Sequence, residues 1–368
     1  MSPGSSAHRM PGRPLGVGLI GAGPVTQAIH LPTLATLGDR LRVTHVMDVD
    51  PDVAASVAAR AATETGAGSG PRRGVRHSTT AAELLADDAV DVVAICSPHA
   101  FHAEQIAAAV AAGKRGILCE KPLATTRDEA ERIAKVTSDS GVPVVVGAMQ
   151  AYDPAWNAVR REWGDLPERA HLIRSRVYLP GNEEFVALAT DPAPAAPPPA
   201  GGPGSDADML RAGILGLATH VVPQLRHFLP GPVRVVSARF LSPFGYRLVL
   251  TADDEHGAAR TAELTALVPG VWEPDWTFEA WAPGTRLRVA YPPSYVLAGS
   301  ATATLTDASG SSRDWQFPVN GYQAEWLHLA DIVDGRAEPL IGMPTAIADM
   351  VYALELADGA TALLEDPS

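Results

Sequence analysis

The chain of 368 residues is longer than a single hydrophobic core usually grows, so its length predicts two domains. Its formal charge of -13 argues against nucleic acid or anionic membranes as partners, since both need clustered lysine and arginine. Two cysteines, Cys96 and Cys119, are too few for a secreted disulfide framework, and no apolar run approaches the roughly 20 residues of a membrane span. We therefore expect a cytoplasmic protein with reduced thiols, a disordered lead-in over residues 1–13, and no metal site.

In the first half of the chain, short apolar runs alternate with helix-forming stretches. The run LGVGLI at residues 15–20 is followed by a glycine turn and a helical pattern, and residues 42–47 form a second predicted strand. Continuous apolar runs separated by helices are typical of a parallel sheet covered on both faces. The pattern therefore predicts an α/β fold, with a doubly wound, Rossmann-type dinucleotide-binding domain over residues 14–150. Further strands are predicted over 91–96, 116–119 and 142–146, and helices over 52–60 and 103–112.

From residue 151 onward the pattern changes. A predicted helix over 154–163 is followed by segments that alternate apolar and polar residues, which is typical of half-buried antiparallel strands. We expect an α+β domain over residues 151–368, built on an open, mostly antiparallel sheet and ending in an amphipathic helix over 345–364. The stretch 191–204 is too rich in proline and glycine to pack, and predicts a mobile loop. The predicted strands of this half are 171–179, 234–241, 246–252, 258–267 and 286–291.

The glycine turn after the first strand suits a dinucleotide. Gly21 permits the tight turn, and Gly23 lets backbone amides approach a pyrophosphate at the following helix, although Thr26 stands where a third glycine is usual. Asp48 ends the second strand, where a carboxylate can bind both ribose hydroxyls and repel a 2′-phosphate. This favours NAD as the cofactor, with NADP as the alternative. Two other interpretations remain: the glycine turn could be purely structural, and Asp48 could cap the following helix. The cofactor-binding residues expected from this region are Gly21, Gly23, Pro24, Val25 and Asp48.

Lysine is nearly absent from this protein. It occurs only at Lys114, Lys121 and Lys135, and the other basic residues are all arginine. A partly buried lysine can have its pKa lowered enough to act as an acid or base, whereas arginine stays charged. Lys121 follows a predicted strand end within Glu120-Lys121-Pro122, and is therefore the first candidate for catalysis. The alternative is a surface salt bridge with Glu120.

Four segments together resemble the Gfo/Idh/MocA oxidoreductases: GLIGAG at 18–23, VDVVAICSP at 90–98, AAGKRGILCEKPLA at 111–124 and GVPVVVG at 141–147. The resemblance covers the first domain, and in the second it rests on architecture and on residues 213–229. It implies that Lys121 reaches nicotinamide and substrate and polarises or protonates the reacting oxygen, and that Pro122 can follow a cis-peptide. It also implies a homodimer or homotetramer formed through the open sheet. Further cofactor contacts are expected from Ser97, Pro98, His99, His102, Glu120 and Lys121.

The second half of the expected site departs from the family pattern. His220 matches a family histidine, but Gly216 stands where an aspartate is often found four positions earlier, and Pro223 replaces an acidic residue. A carboxylate that would orient the histidine is thus missing. Tyr152 lacks the arginine that often precedes it, and becomes a candidate proton donor or stacking surface. His220 could instead be a hydrogen-bonded core histidine, and His99 could merely begin a helix.

These features predict an oxidoreductase in which Lys121 is the main acid and His220 or Tyr152 assists. The expected reaction is hydride transfer between nicotinamide and a C–O carbon of a small polar substrate, with a sugar, amino-sugar or polyol suggested by the resemblance. The first alternative is an imine or other biosynthetic-intermediate reductase of secondary metabolism, which needs no strong base. The second is a non-catalytic dinucleotide-binding sensor or scaffold. Trp272, Trp276 and Trp281 would line a ring-shaped ligand pocket or be core aromatics.

Overall fold

The computed structural model describes residues 13–64, 74–180, 204–253, 259–269, 274–293 and 297–365. Within them the chain forms two sheets, one in each half, with helices packed on both. The predicted lead-in up to residue 12, the predicted loop over 191–203 and Trp272 lie outside the described residues. Both cysteines are free thiols, and each follows or ends a strand of the first sheet.

The first sheet is the predicted parallel, doubly wound sheet. Its strands in chain order are β1 (Leu15–Ile20), β2 (Leu41–Met47), β3 (Arg76–Ser78), β4 (Val92–Ile95), β5 (Gly116–Cys119) and β6 (Val144–Val146). They lie side by side in the order β3-β2-β1-β4-β5-β6, and every pair is parallel. The strand order reverses between β1 and β4, so their carboxyl ends border the crevice where such folds bind ligands.

Helices connect these strands. A π-helical turn at Thr26–His30 leads into α1 (Leu31–Thr36), and α2 (Pro51–Glu64), α3 (Ala81–Leu85), α4 (His102–Ala111) and α5 (Arg127–Ser140) follow. α5 starts where it does because Thr126 and Glu129 form a capping box, in which each side chain bonds the other's backbone amide. The predicted order of strands and helices in this half is therefore confirmed.

The second sheet is open and mixed. Its neighbours run in the order β14-β13-β12-β11-β7-β10-β9-β8, and only β7 and β10 pair in parallel among the described strands. This confirms the mostly antiparallel sheet that the alternating pattern predicts. The strands are β7 (Leu172–Tyr178), β8 (Arg234–Phe240), β9 (Phe244–Asp253), β10 (Ala259–Val268), β11 (Asp275–Ala282), β12 (Thr285–Tyr291), β13 (Thr302–Asp307) and β14 (Ser312–Trp315).

One face of this sheet is apolar and covered by helices. Leu248, Leu264 and Phe278 point to that face and are at most 1% exposed. The opposite face is polar: the Arg174 guanidinium of β7 lies 3.0 Å from the Glu263 carboxylate on the neighbouring strand β10. The helices of this half are α6 (Met149–Tyr152), α7 (Pro154–Arg160), α8 (Leu166–Arg169), α9 (Asp206–Leu217), α10 (Val222–Leu225), α11 (Gly321–Val333) and α12 (Met343–Glu365).

Helix α11 lies far along the chain but packs against the first domain. Trp326, Leu329 and Ala330 are fully buried there, in one cluster with the residues of β1 and β2. A Cβ added at Gly116 of β5 would come within 2.9 Å of Leu329 Cδ1, so the absent side chain is what lets the helix approach. The two halves of the protein therefore share a core directly beneath the Glu120-Lys121-Pro122 loop.

Candidate active site

The glycine turn after β1 leaves an open surface. Gly21 has a φ of +90°, and a Cβ there would lie 2.8 Å from the Ser97 backbone nitrogen, so both conformation and space require glycine. A Cβ at Gly23 would meet nothing within 4 Å, which leaves room for a group to approach the turn from outside. The Thr26 hydroxyl donates to the Gly21 carbonyl at 2.6 Å, and so fixes the turn from the position of the usual third glycine.

Asp48 lies against this turn from the end of β2. Its Oδ2 accepts a hydrogen bond from the Ala22 backbone N–H at 2.8 Å, and its Oδ1 accepts one from the Asp50 N–H at 3.0 Å. The first turn of α2 is instead capped by Asp50, whose Oδ1 accepts from the Asp52 N–H at 2.9 Å. The helix-capping alternative thus applies to Asp50, and the turn together with Asp48 fits the pyrophosphate and ribose of a dinucleotide.

The residues after β4 divide into an exposed and a buried group. Pro98 and His99 are exposed, and His99 begins a 3-10 turn, His99–Phe101. His102 is 1% exposed, and its Nδ1 and Nε2 lie 2.9 Å from the Pro122 carbonyl and 3.0 Å from the Ser97 carbonyl. Burial lowers the pKa of His102 despite these two acceptors. His102 therefore ties the loops after β4 and β5 to each other, and does not face the open side of the turn.

Lys121 occupies the carboxyl end of β5, in the loop closed by a cis Lys121–Pro122 bond. Its Nζ donates to the Gly216 carbonyl oxygen at 3.0 Å, across the boundary between the two halves of the chain. Burial lowers the pKa of Lys121, and the nearby Glu120 charge offsets this only in part. The side chain also borders a cavity of about 30 Å³ that is lined mostly by apolar residues. A half-buried ammonium with a lowered pKa is a ready proton donor.

Glu120 does not form the salt bridge with Lys121 that the sequence left open. Its Oε1 lies 3.1 Å from His30 Nε2, and its Oε2 accepts from the Lys121 backbone N–H at 3.1 Å. Trp326 Nε1, which can only donate, bonds His30 Nδ1 at 3.1 Å, so the His30 proton sits on Nε2 and points at Glu120. Burial alone would raise the pKa of Glu120, but the hydrogen bond from His30 brings it below the ordinary value. Glu120 thus anchors the loop that carries Lys121.

The sequence did not predict that His30 contacts Glu120 and supports the loop of Lys121. His30 stands at the end of the π-helical turn, with its ring fully buried and edge-on to Trp326 at 5.8 Å between centroids. A π-turn adds one residue to a helical turn and so rotates the side chains that follow it, which no periodic sequence pattern reveals.

His220 lies in a 3-10 turn, Ala218–His220, directly after α9. Its Nδ1 is 3.0 Å from the Gln150 side-chain oxygen, and its ring is edge-on to Trp276 at 5.0 Å. Burial, and then the positive charge of Lys121, hold the pKa of His220 well below its ordinary value. The structure therefore brings Lys121 and His220 into one site, with Gln150 as the partner of the histidine where the sequence showed no carboxylate.

Tyr152 lies apart from Lys121 and His220. It is 4% exposed and packs beside α11, with its ring 5.8 Å from that of His328. Burial, together with the Glu325 and Asp349 charges, raises the pKa of its hydroxyl. Two residues along a helix point to nearly opposite sides, so Tyr152 faces away from His220 when Gln150 faces it. The hydroxyl is not brought together with Lys121.

In the part of the chain that the structure describes, none of the helices is both long and apolar enough to cross a membrane. Among the same residues, none of the groups of histidine, cysteine, aspartate and glutamate side chains has the geometry to hold a metal ion.

The glycine turn after β1 and the lysine at the end of β5 lie at the carboxyl ends of parallel strands, the edge where doubly wound sheets bind ligands. Residues 15–148 match the model of the oxidoreductase family with an NAD-binding Rossmann fold. The first domain is thus similar to the Gfo/Idh/MocA oxidoreductases, as the sequence segments predicted.

Individual curated relatives match only part of the chain. Inositol 2-dehydrogenase 2 of Saccharopolyspora erythraea is 36% identical over 148 residues, which cover 40% of this chain and 40% of that protein. A 4-carboxy-2-hydroxymuconate-6-semialdehyde dehydrogenase from Sphingobium is 32% identical over 38% of this chain and 40% of its own. The match therefore spans less than half the length of these curated relatives.

The fold itself is shared over nearly the whole chain. KijD10, a 3-ketoreductase from Actinomadura kijaniata solved in complex with NADP and TDP-benzene, aligns with 95% of this chain and 98% of its own. The TM-score is 0.68 and the sequence identity 19%, so this similarity concerns the fold alone.

Proposed function

We propose that this protein is an NAD(P)-dependent oxidoreductase that transfers hydride between nicotinamide and a C–O carbon of a small polar substrate. The observation that carries the proposal is the half-buried Lys121 ammonium, which bonds the Gly216 carbonyl and lies close to His220 at the carboxyl end of β5. A bound nicotinamide supplies or accepts the hydride and its electron pair; the protein must supply the proton. Fold alone would not support this function, whereas a desolvated lysine at the ligand edge of the sheet does.

The proton chemistry follows from the state of Lys121. In the reducing direction, the ammonium donates a hydrogen bond to the carbonyl oxygen of the substrate and polarises the C=O bond. When the carbon receives hydride, the π electron pair moves onto the oxygen, which takes the proton from Lys121. The reaction leaves an alcohol and a neutral amine, which regains its proton from solvent. In the oxidising direction the neutral amine accepts that proton, and the lowered pKa of Lys121 favours the neutral state.

The substrate class rests on the aromatic surface beside His220. Trp276 is edge-on to His220, and Tyr291 lies edge-on to Trp276 with 6.5 Å between ring centroids. Aromatic rings flanked by polar groups suit a hydroxylated ring, so we propose a sugar, amino-sugar or polyol. The inositol 2-dehydrogenase relative supports that class.

A second candidate is an imine reductase. Gly216 leaves the site without the carboxylate that would stabilise a protonated His220, and reduction of an imine needs one proton donor and no strong base. Sugars offered as ketones and as the matching imines, with one dinucleotide held constant, separate the two candidates by their ratio of kcat/KM.

Cofactor preference follows from Asp48. A carboxylate fixed beside the turn repels a 2′-phosphate, so we propose NAD as the preferred cofactor and NADP as the weaker one. The first experiment is a titration of the purified protein with NAD+, NADH, NADP+ and NADPH, followed by energy transfer from tryptophan to nicotinamide. Binding of none of the four at millimolar concentration would remove the hydride-transfer proposal.

Turnover then separates an enzyme from a sensor. Lys121→Ala should keep dinucleotide affinity and lose most of the rate, because it removes the proton donor alone. Lys135→Ala is the matched control, since Lys135 is exposed and pairs only with Asp139 along one helix. A wild-type protein that binds dinucleotide but turns over no ketone, alcohol or imine would favour the sensor alternative.

We also propose a homodimer or homotetramer formed through the open sheet face. That face carries charged ladders, such as Arg174 with Glu263, and a Trp281 ring covered by the Arg286 guanidinium at 4.2 Å. A polar face with a large aromatic residue suits an interface between copies. Light scattering with Trp281→Ala tests it, and a monomeric wild-type protein would contradict it.

A further inference from the structure

Gln150 is the hydrogen-bond partner of His220, in the role that a carboxylate often takes beside a catalytic histidine. It lies in α6 and is fully buried, 70 positions before His220 in the chain. Its side-chain oxygen is 3.0 Å from His220 Nδ1, while its side-chain nitrogen has no hydrogen-bond partner among the described residues. An amide oxygen only accepts, so the bonded Nδ1 carries the proton of the imidazole.

We infer that Gln150 is a positioning residue that holds His220 as the neutral, Nδ1-protonated tautomer, so that its Nε2 lone pair is an acceptor. The charged group acting on His220 is Lys121, and a lone pair on the free nitrogen suits a neighbouring ammonium better than a second N–H does. The site therefore offers one donor, Lys121, and one acceptor, His220. A carbonyl oxygen fits the first, and a hydroxyl on the same substrate fits the second.

Glutamine and a carboxylate would differ in their effect on the charge of His220. A carboxylate on Nδ1 would fix the same tautomer and also stabilise the imidazolium, so the histidine could store a proton during alcohol oxidation. A neutral amide fixes the ring without stabilising the charge. The kinetic part of the inference rests on the proposed function: Gln150 biases the site toward reduction, with the proton coming from Lys121.

The tautomer is measured without any substrate. Long-range 15N–1H correlation spectra of the uniformly labelled full chain at pH 7.5, with His220→Asn for assignment, should show His220 protonated on Nδ1 in the wild type. In Gln150→Leu the signal should move to the Nε2-protonated form or to a mixture. A wild-type His220 protonated on Nε2, or a Gln150→Leu protein with an unchanged tautomer, would overturn the inference. Thermal unfolding verifies that Gln150→Leu folds, and Gln150→Met replaces it otherwise.

The kinetic readout distinguishes positioning from mere packing. Gln150→Leu should lower kcat roughly 10- to 100-fold and leave dinucleotide affinity unchanged, as expected when a histidine loses its orienting partner. Gln150→Glu should keep the His220 ring oriented, which Gln150→Leu does not. It should also raise the pKa of His220 and increase the rate of oxidation relative to reduction. Gln316→Leu is the control, because Gln316 is exposed on the second sheet domain.

The outcomes separate the two proposals. If the tautomer is as inferred but no substrate is turned over, the proposed function fails and the positioning role stands. If Lys121-dependent turnover is found but Gln150→Glu leaves both the His220 titration and the direction ratio unchanged, the proposed function stands and the positioning role fails.

Discussion

At the glycine turn, the contacts that hold the site join residues that are close in sequence, whereas at Lys121 they join residues from opposite halves of the chain. Thr26 bonds Gly21 five positions away, and Asp48 bonds Ala22 26 positions away. Lys121 bonds Gly216 95 positions away, and Trp326 bonds His30 across 296 positions. The proposed cofactor half of the site is thus built from one βαβ unit, and the proposed substrate half forms only when both sheets are in place. Changes in the first half should act on binding, and changes in the second on turnover.

The largest expected effect comes from the substrate half, in Lys121→Arg. The guanidinium keeps the positive charge but does not release its proton, so kcat should fall roughly 10²- to 10⁴-fold. Dinucleotide affinity should stay within a factor of two to three. Steady-state kinetics and the fluorescence titration measure the two quantities. A variant with nearly full kcat would mean that Lys121 supplies charge alone.

The glycines of the turn should separate stability from binding in the cofactor half. Gly21→Ala places a side chain at positive φ and against the Ser97 backbone, which should cost about 1–3 kcal/mol of unfolding free energy and abolish dinucleotide binding. Gly23→Ala has free space in the protein, so its stability should match the wild type while its dinucleotide affinity falls. Urea unfolding and titration of both variants test this pair. Equal affinity in Gly23→Ala and the wild type would place the pyrophosphate elsewhere.

A third test concerns a long-range polar cluster away from both halves of the site. Asp87 lies 2.9 Å from His45 Nδ1 and 2.7 Å from Arg76 Nε. Burial would raise its pKa, but the hydrogen bonds from Arg76, the Ala89 N–H and His45 lower it to about 2. Because the folded pKa is depressed from 3.8, this carboxylate stabilises the fold above about pH 4, and the stabilisation is lost as the pH falls through 2.

The shift corresponds to roughly 2 kcal/mol, so Asp87→Asn should lose about that much unfolding free energy at pH 7 and less at pH 3. Dinucleotide binding should not change. Asp88→Asn is the matched control, since Asp88 is adjacent and exposed. A loss independent of pH would show that the cluster acts through packing and not through charge.

The smallest effect is expected from restoring an acidic group to the substrate half. A Cβ at Gly216 would lie 3.8 Å from Phe244 Cζ, an ordinary contact, so Gly216→Asp fits. Its carboxylate should stabilise a protonated His220, raise the pKa of that histidine and increase alcohol oxidation about tenfold relative to reduction. Gly216→Asn has the same shape without the charge. An equal gain in both variants would rule out an electrostatic cause.

Sequence patterns predicted the first domain well. β1 and β5 begin and end where their apolar runs do, because continuous apolar strands are typical of a sheet buried on both faces. Four strands were not predicted: β11, β13, β3 with its sequence RHS, and β14 with SRDW. β3 and β14 are short, polar edge strands, whose pairing is decided by their neighbours and not by their own composition. The start of α5 carried a recognisable signal, the Thr126 and Glu129 capping box.

By itself, the sequence determined the order of elements in the first domain, the glycine turn and the resemblance of that domain to a known family, because each depends on residues a few positions apart. It also singled out Lys121 as the residue to test. Only the tertiary structure decided that His30 and Trp326 brace Glu120, that Gln150 takes the partner's place beside His220, and that Tyr152 points away. These contacts join segments 70 to 296 positions apart. Glutamine, histidine and tryptophan occur throughout cores, so their identity says little until the fold has brought their atoms within hydrogen-bonding distance.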